Sequence, residues 1–273
     1  MGSKNDDMGG RETPSLARVW DALSGGKDNF AADRLLAEQL EKVGHFSELV
    51  AANADFRRRT LQWLAGPGKI AQFLMCGPGL PNSASASTVV HQIGLQARVL
   101  YVDNDPMVLT HTRALLETDR RVQVLDADIF DPKTVLNDQV TKSFLDWSEP
   151  IALIHTATLP HCPDDSGPLE VLRGYVDALP LGSYTVISHF AVPDQPSLAE
   201  MAHSAERILV DGPIGTGWFR SYDEIATYFP DQELLEPGLV PCDDWRPDDP
   251  DLSEGAASIR RCIIGGVGRV LGR

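Results

Sequence analysis

No apolar run in this sequence approaches the roughly 18 to 20 residues that a helix needs to cross a bilayer, and no charged, then apolar, then small-residue leader opens it. Those absences lead to the expectation of a cytoplasmic protein with no membrane partner. Cysteine is scarce too: Cys76, Cys162, Cys242 and Cys262 are widely separated and form no Cys-x-x-Cys pair. Neither a zinc site nor a disulfide framework is indicated, so no metal is expected and a reducing compartment fits best. Basic residues are outnumbered, 24 against 39 acidic ones, giving a formal net charge of -15. Nucleic acid is held mainly by Lys and Arg on phosphates, so it is not an expected partner. Internal repeats are also missing. What remains is an ordinary globular composition, 42% hydrophobic and 23% charged over 273 residues, enough for one large buried core.

The chain opens with a stretch, 1–12, that reads as a floppy tail. Residues 13–66 read as a helical cap, with Leu16, Val19, Trp20 and Leu23 on one face before a break at Ser24-Gly25-Gly26. Asp28 and Asn29 are the expected caps of the next helix. Apolar positions from Leu35 to Leu64 continue the pattern to Gly66-Pro67-Gly68. From there to residue 273 the character changes to short apolar runs separated by helical stretches, the trace of β-α-β units in a mostly parallel sheet. Strands are expected over Ile70 to Met75, Arg98 to Val102, Val122 to Ala127, Ile151 to Thr156 and Ser183 to His189. Helices are expected over Ala84 to Ile93, Pro106 to Leu116, Pro132 to Thr141, Leu169 to Leu179, Pro196 to Val210 and Ser221 to Phe229. Glu233 to Val240 and Ile259 to Val267 are expected to pair antiparallel at the sheet edge, with Pro241 to Gly255 as an exposed loop.

Three elements at the expected strand ends carry chemistry. The first strand runs into Gly77-Pro78-Gly79, and glycines there allow close backbone approach to a ligand. The dinucleotide fingerprint is incomplete because Asn82 stands at its third glycine position. The second strand ends in Asp103-Asn104-Asp105-Pro106. Asp105 before Pro106 suits a helix cap, which leaves Asp103 to accept hydrogen bonds from two ribose hydroxyls. The third strand leads to Asp126-Ala127-Asp128-Ile129, where Asp128 is in position for an exocyclic adenine amine and Ile129 for the ring. Together these describe a nucleoside site. Asp103 also suits a nicotinamide cofactor, but the broken fingerprint and the helical leader argue against that.

Much of the chain is similar to the actinobacterial S-adenosylmethionine-dependent methyltransferases long catalogued as a domain of unknown function. The resemblance rests on Ser24-Gly25-Gly26-Lys27-Asp28-Asn29-Phe30-Ala31-Ala32-Asp33-Arg34, on Gly79-Leu80-Pro81 and on Tyr101-Val102-Asp103-Asn104-Asp105-Pro106. It resumes at Gly182-Ser183-Tyr184, Ser188-His189, Leu235-Glu236-Pro237-Gly238-Leu239-Val240-Pro241 and Gly265-Gly266-Val267-Gly268-Arg269. It implies a class I methyltransferase fold, a Rossmann-like α/β architecture with a mostly parallel sheet and an N-terminal helical cap. The implied cofactor is S-adenosyl-L-methionine, with Gly25 to Phe30 closing over it so that Lys27, Asn29 and Phe30 join the binding residues. The chain departs from the family twice. Asp-Ile-Gly-Thr-Gly of the family is Met75-Cys76-Gly77-Pro78-Gly79 here, without the loop acid. The family's Leu-His-Phe is Leu159-Pro160-His161-Cys162, which moves the histidine by one position.

Methyl transfer from a sulfonium needs orientation and, for some acceptors, a base. His161 is the candidate base, with His155 and Asp164 as weaker candidates, and His189 after the fifth strand is expected to line the substrate side. Three functions are compatible with these residues: a small-molecule methyltransferase of specialised metabolism, an enzyme that transfers or cyclises the aminocarboxypropyl group and releases methylthioadenosine, or an adenosyl-binding protein without catalysis. The acceptor is not legible. Helix faces bearing Val19, Leu23 and Leu36 suit either the domain core or a homodimer.

Overall fold

The computed structural model describes residues 11–82, 84–93, 96–163, 167–249 and 258–271. Nearly all of the expected tail, and Asp164, lie outside them. Three helices come first: α1 (Leu16–Leu23), α2 (Ala31–Gly44) and α3 (Phe46–Ala65). The break between α1 and α2 contains Gly25 at φ +75°, where a residue without Cβ turns at low cost. Asp28 and Asn29 do not cap α2. Phe30 is its N-cap residue, and the Asp33 carboxylate accepts from the Phe30 amide at 2.7 Å. The side chain of Asn29 turns back instead and donates to Asp21 of α1.

The sheet then follows, with β1 (Gln72–Cys76), α4 (Ala86–Gln92), β2 (Arg98–Asp103), α5 (Pro106–Leu115), β3 (Val122–Asp126), α6 (Pro132–Asn137), α7 (Gln139–Phe144), β4 (Ala152–Thr156), α8 (Pro168–Val176), β5 (Tyr184–Phe190), α9 (Pro196–Val210), α10 (Tyr222–Ala226), β6 (Gln232–Leu234), β7 (Val240–Pro241) and β8 (Ile263–Val270). Four helices start with proline at the first turn, Pro106, Pro132, Pro168 and Pro196, where the missing N–H would have had no partner. The single helix expected from Pro132 is two, because Asp138 leaves helical geometry and caps α7 through its carboxylate.

The strand order is β3-β2-β1-β4-β5-β8-β6, parallel from β3 through β5. β8 runs antiparallel to β5 and β6, and β7 also pairs with it. The expected edge pair is therefore divided: β6 forms the edge, and β8 is an inner strand. The loop expected to be exposed after Pro241 is partly core, since Cys242 and Trp245 are fully buried. Asp243 and Asp244 pair there with Arg260 and Arg261.

Alternate residues of each strand face opposite sides. Phe73, Met75, Val99, Tyr101, Ile154, Val186 and Phe190 join the cluster that includes the three N-terminal helices. Leu74, Cys76, Leu100, Val102 and Leu153 face the other cluster, with Val171 and Tyr175 of α8. Each such Leu, Ile or Phe contributes about 1.5 to 3 kcal/mol by leaving water. The helical cap is thus held by the same core that closes the sheet.

Candidate functional site

The carboxyl ends of β1 to β4 meet at one place, and Gly77 marks it. A Cβ added to Gly77 (φ +63°) would stand 2.5 Å from Thr158 Cγ2 and 3.3 Å from Ile129 Cδ1. The loops after β1, β3 and β4 therefore touch at the expected adenosyl site. Gly79 (φ +69°) is different: nothing lies within 4 Å of its Cβ position. The first glycine is required by protein packing, and the second leaves open space at the loop.

Asp103 ends β2 directly after Val102, whose carbonyl accepts from the Gly77 amide at 2.9 Å. Its Oδ1 accepts from the Asp105 amide at 2.9 Å, while Asp105 caps α5 by accepting from the Met107 and Val108 amides. Burial raises the Asp103 pKa to about 6, opposed by hydrogen bonds from the backbone at Asp105 and Asn104. An ionised carboxylate with little solvent is a strong acceptor for hydroxyl donors. Asn104 and Asp128 are exposed, and Asp128 Oδ1 accepts from the Phe130 amide. Ile129 is half-buried against Gly77.

The helical cap docks on the same edge. Ser15 Oγ donates to Asp105 Oδ2 at 2.7 Å, and the Ser15 amide donates to Asp33. Arg18 pairs with the fully buried Asp33 at 2.8 Å and lies over the Phe30 ring. Phe30 is thereby brought beside Ser15, which reaches Asp105. Asn29 is held by Asp21, and Lys27 is exposed.

The histidines fall on different sides of the sheet. His161 lies in a short 3-10 turn over Leu159–His161, with Nδ1 2.9 Å from Thr216 Oγ1 and its ring edge-on to Phe190, on the cap side. Its Nε2 is buried without a partner among the described residues. Desolvation lowers its pKa to about 3, so the ring is neutral with one ring nitrogen unengaged. His155 points the other way, against Tyr175, with Nδ1 3.0 Å from Thr158 Oγ1. His189, expected after the fifth strand, lies within β5 and packs on Tyr228.

Two connections were not foreseen. Asn53, buried on α3, accepts from Ser188 Oγ at 2.5 Å, and Ser188 Oγ accepts from the Ala157 amide. Ala157 follows β4 at φ +55°, an uncommon conformation for a residue with Cβ. The chain Asn53–Ser188–Ala157 ties the cap helix to the turn that carries Thr158 and His161. The second is Arg57, one turn further along α3. Polar residues on the buried face of an otherwise apolar helix were the available signal for both.

Among the described residues no group of three metal-ligating side chains occurs and no helix is long and apolar enough to cross a membrane. A central parallel run β3-β2-β1-β4-β5 extended by an inner antiparallel strand, with an acid ending β2 beside a glycine turn after β1, defines a class I methyltransferase. Residues 4–271 match the family model described as S-adenosyl methyltransferase, and the chain belongs to that family. Its cofactor is S-adenosylmethionine, and it is a transferase of the methyltransferase class. Two solved structures are similar over nearly their whole length. One, from Thermobifida fusca YX and assigned as a methyltransferase, is 37% identical with TM-score 0.89, covering 99% of this chain and 100% of that one. The other, a DUF574 family protein from Streptomyces avermitilis MA-4680, is 28% identical with TM-score 0.86, covering 95% and 98%. No functionally curated protein is significantly similar in sequence.

Proposed function

We propose that this chain methylates a small-molecule acceptor of specialised metabolism in the cytoplasm, using the edge formed by β1 to β4. The observation that carries the reading is the division of labour between two acids: Asp105 caps α5 and anchors Ser15, while the desolvated Asp103 ending β2 does neither, which supports it as the acceptor for the ribose.

The residues present fit the cofactor. Asp103 accepts from the ribose hydroxyls, Gly79 lets the backbone approach, and Asp128 and Ile129 serve the adenine, with Gly77 holding the three loops together. Asn104 lies at the ribose side, and Lys27, Asn29 and Phe30 close the site from the cap. When bound, S-adenosylmethionine supplies an electrophilic methyl group on a sulfonium. His161 takes the proton of the acceptor at Nε2 while Thr216 orients the ring through Nδ1. His155 positions Thr158 from the far side of β4. A buried neutral imidazole is a weak base in bulk terms, but it is already desolvated and needs no proton removed before it acts.

Calorimetry with S-adenosylhomocysteine tests the reading. Asp103→Ala weakens binding by about 1 to 3 kcal/mol, the range for a lost charge-assisted hydrogen bond; unchanged affinity removes Asp103 from the site. Incubation with S-adenosylmethionine alone tests the chemistry, because release of methylthioadenosine marks aminocarboxypropyl transfer and overturns the methyl assignment.

A further inference from the structure

Arg57 is a cap-helix cation with no acidic partner among the described residues. It projects from α3, one turn after Asn53, on the face turned to the strand ends. Its Nε is buried with no hydrogen-bond partner, and no acidic side chain pairs with it among the described residues. Neighbouring arginines are occupied: Arg58 pairs with Asp248, and Arg59 donates to the carbonyls of Trp245 and Cys242. Burial lowers the Arg57 pKa, and the only group that opposes this is the phenol of Tyr101. The residue as a whole is half-buried, and a guanidinium remains charged in proteins, so its desolvated Nε edge is left without an acceptor.

Arg57 lines a small cavity together with Met75, Gly79, Ser85, Tyr101 and Thr112. Thr112 Oγ1 is a second buried polar atom without a partner. Two orphaned polar groups from two helices therefore line one space that touches the glycine turn. Its walls carry no carboxylate. The β1 residue at this cavity is Met75, a neutral side chain, so no acidic group among the described residues lining it offsets the guanidinium. The space holds about one water molecule as it stands, and its side at Gly79 is open.

We propose that Arg57 binds the α-carboxylate of the cofactor's methionine tail, entering past Gly79 into the cavity lined by Met75 and Thr112. This rests on the reading of the strand edge as the adenosyl site and adds the anchor for its other end. A planar guanidinium takes a carboxylate through two parallel N–H bonds, a geometry that neither a lysine nor water reproduces. The same contact supplies the charge partner that Arg57 lacks in the free protein.

The test compares adenosyl ligands with and without that carboxylate. Calorimetry on the full chain uses S-adenosylmethionine, decarboxylated S-adenosylmethionine and methylthioadenosine. The wild type prefers the carboxylated ligand by about 10- to 100-fold. Arg57→Met, which keeps the volume and removes the charge, brings that preference below about threefold and leaves methylthioadenosine affinity unchanged. Arg57→Lys restores part of the preference. Equal wild-type affinity for the first two ligands, with methylthioadenosine still bound, overturns the carboxylate anchor alone and leaves trapped water as the occupant. Persistence of the preference in Arg57→Met overturns it as well. Failure of all three ligands to bind the wild type overturns the adenosyl site and the anchor with it. The wild-type comparison stands even if a variant does not fold.

Discussion

Thr158 Cγ2 lies 2.5 Å from the point where a Cβ on Gly77 would stand, so the loop after β4 fills the space that a side chain on the loop after β1 would need. The contact gives the two glycines of the turn separate duties. At Gly77 an added methyl meets both a positive φ and a packed neighbour; at Gly79 it meets the positive φ alone.

Gly77→Ala is therefore expected to cost stability, about 1 to 3 kcal/mol from strain and displacement of Thr158, measured as a lower unfolding midpoint in urea. Gly79→Ala costs about 1 kcal/mol in the free protein but weakens S-adenosylhomocysteine binding more than Gly77→Ala does, because its methyl occupies ligand space. A larger stability loss for Gly79→Ala would contradict this assignment.

Affinity should depend on pH through Asp103. Its folded pKa is raised to about 6 from an ordinary 3.8, so the ionised acceptor is lost as pH falls through about 6. Binding of S-adenosylhomocysteine then weakens, by up to about tenfold per pH unit below that point. Stability in the free protein runs the other way for this group: its contribution is full below about 3.8 and is lost as pH rises through about 6. Asp103→Asn removes the affinity slope; a slope that survives belongs to another group.

Acid should unfold the protein early. His155, His161 and His189 are buried and desolvated, each with its pKa lowered to about 3. Groups held below their unfolded pKa of about 6.5 contribute stability that is present above that pH and is lost as pH falls. Three such protons amount to a slope of about 4 kcal/mol per pH unit once the unfolded chain is fully protonated. Urea titrations between pH 7 and 4.5 check it, and each His→Gln variant lowers the slope by about one proton. Asp103 opposes one proton's worth of this slope over part of the window.

Loss of the His161 ring should reduce turnover without releasing the cofactor. His161→Asn lowers kcat by about 100-fold or more once an acceptor is in hand, with S-adenosylhomocysteine affinity within about twofold. Thr216→Val, which removes the partner of Nδ1, lowers kcat by about tenfold. Full activity in both variants places the base elsewhere or makes it unnecessary.

Much of this arrangement was legible because it is local. The strand ending in Gly77-Pro78-Gly79, the Asp103-Asn104-Asp105-Pro106 string and the proline starts of the helices each announce their structure within a few residues. The Asp105 cap of α5 was readable for the same reason. What escaped was set by contacts distant in sequence. The sidedness of His155 and His161 depends on strand alternation and on a turn after β4, and the α2 cap depends on Asp33 also serving Arg18 and Ser15. Asn53 and Arg57 interrupt an apolar helix face, and only the packing of α3 against the strand ends gives them a partner or a cavity.

The most direct test is a crystal structure of the chain with S-adenosylhomocysteine. The ribose hydroxyls are expected within hydrogen-bond distance of the Asp103 carboxylate, with the adenine beside Ile129 and the aminoacyl tail crossing Gly79. Density for the nucleoside anywhere else, with Asp103 still bonded only to its own loop, would contradict the account.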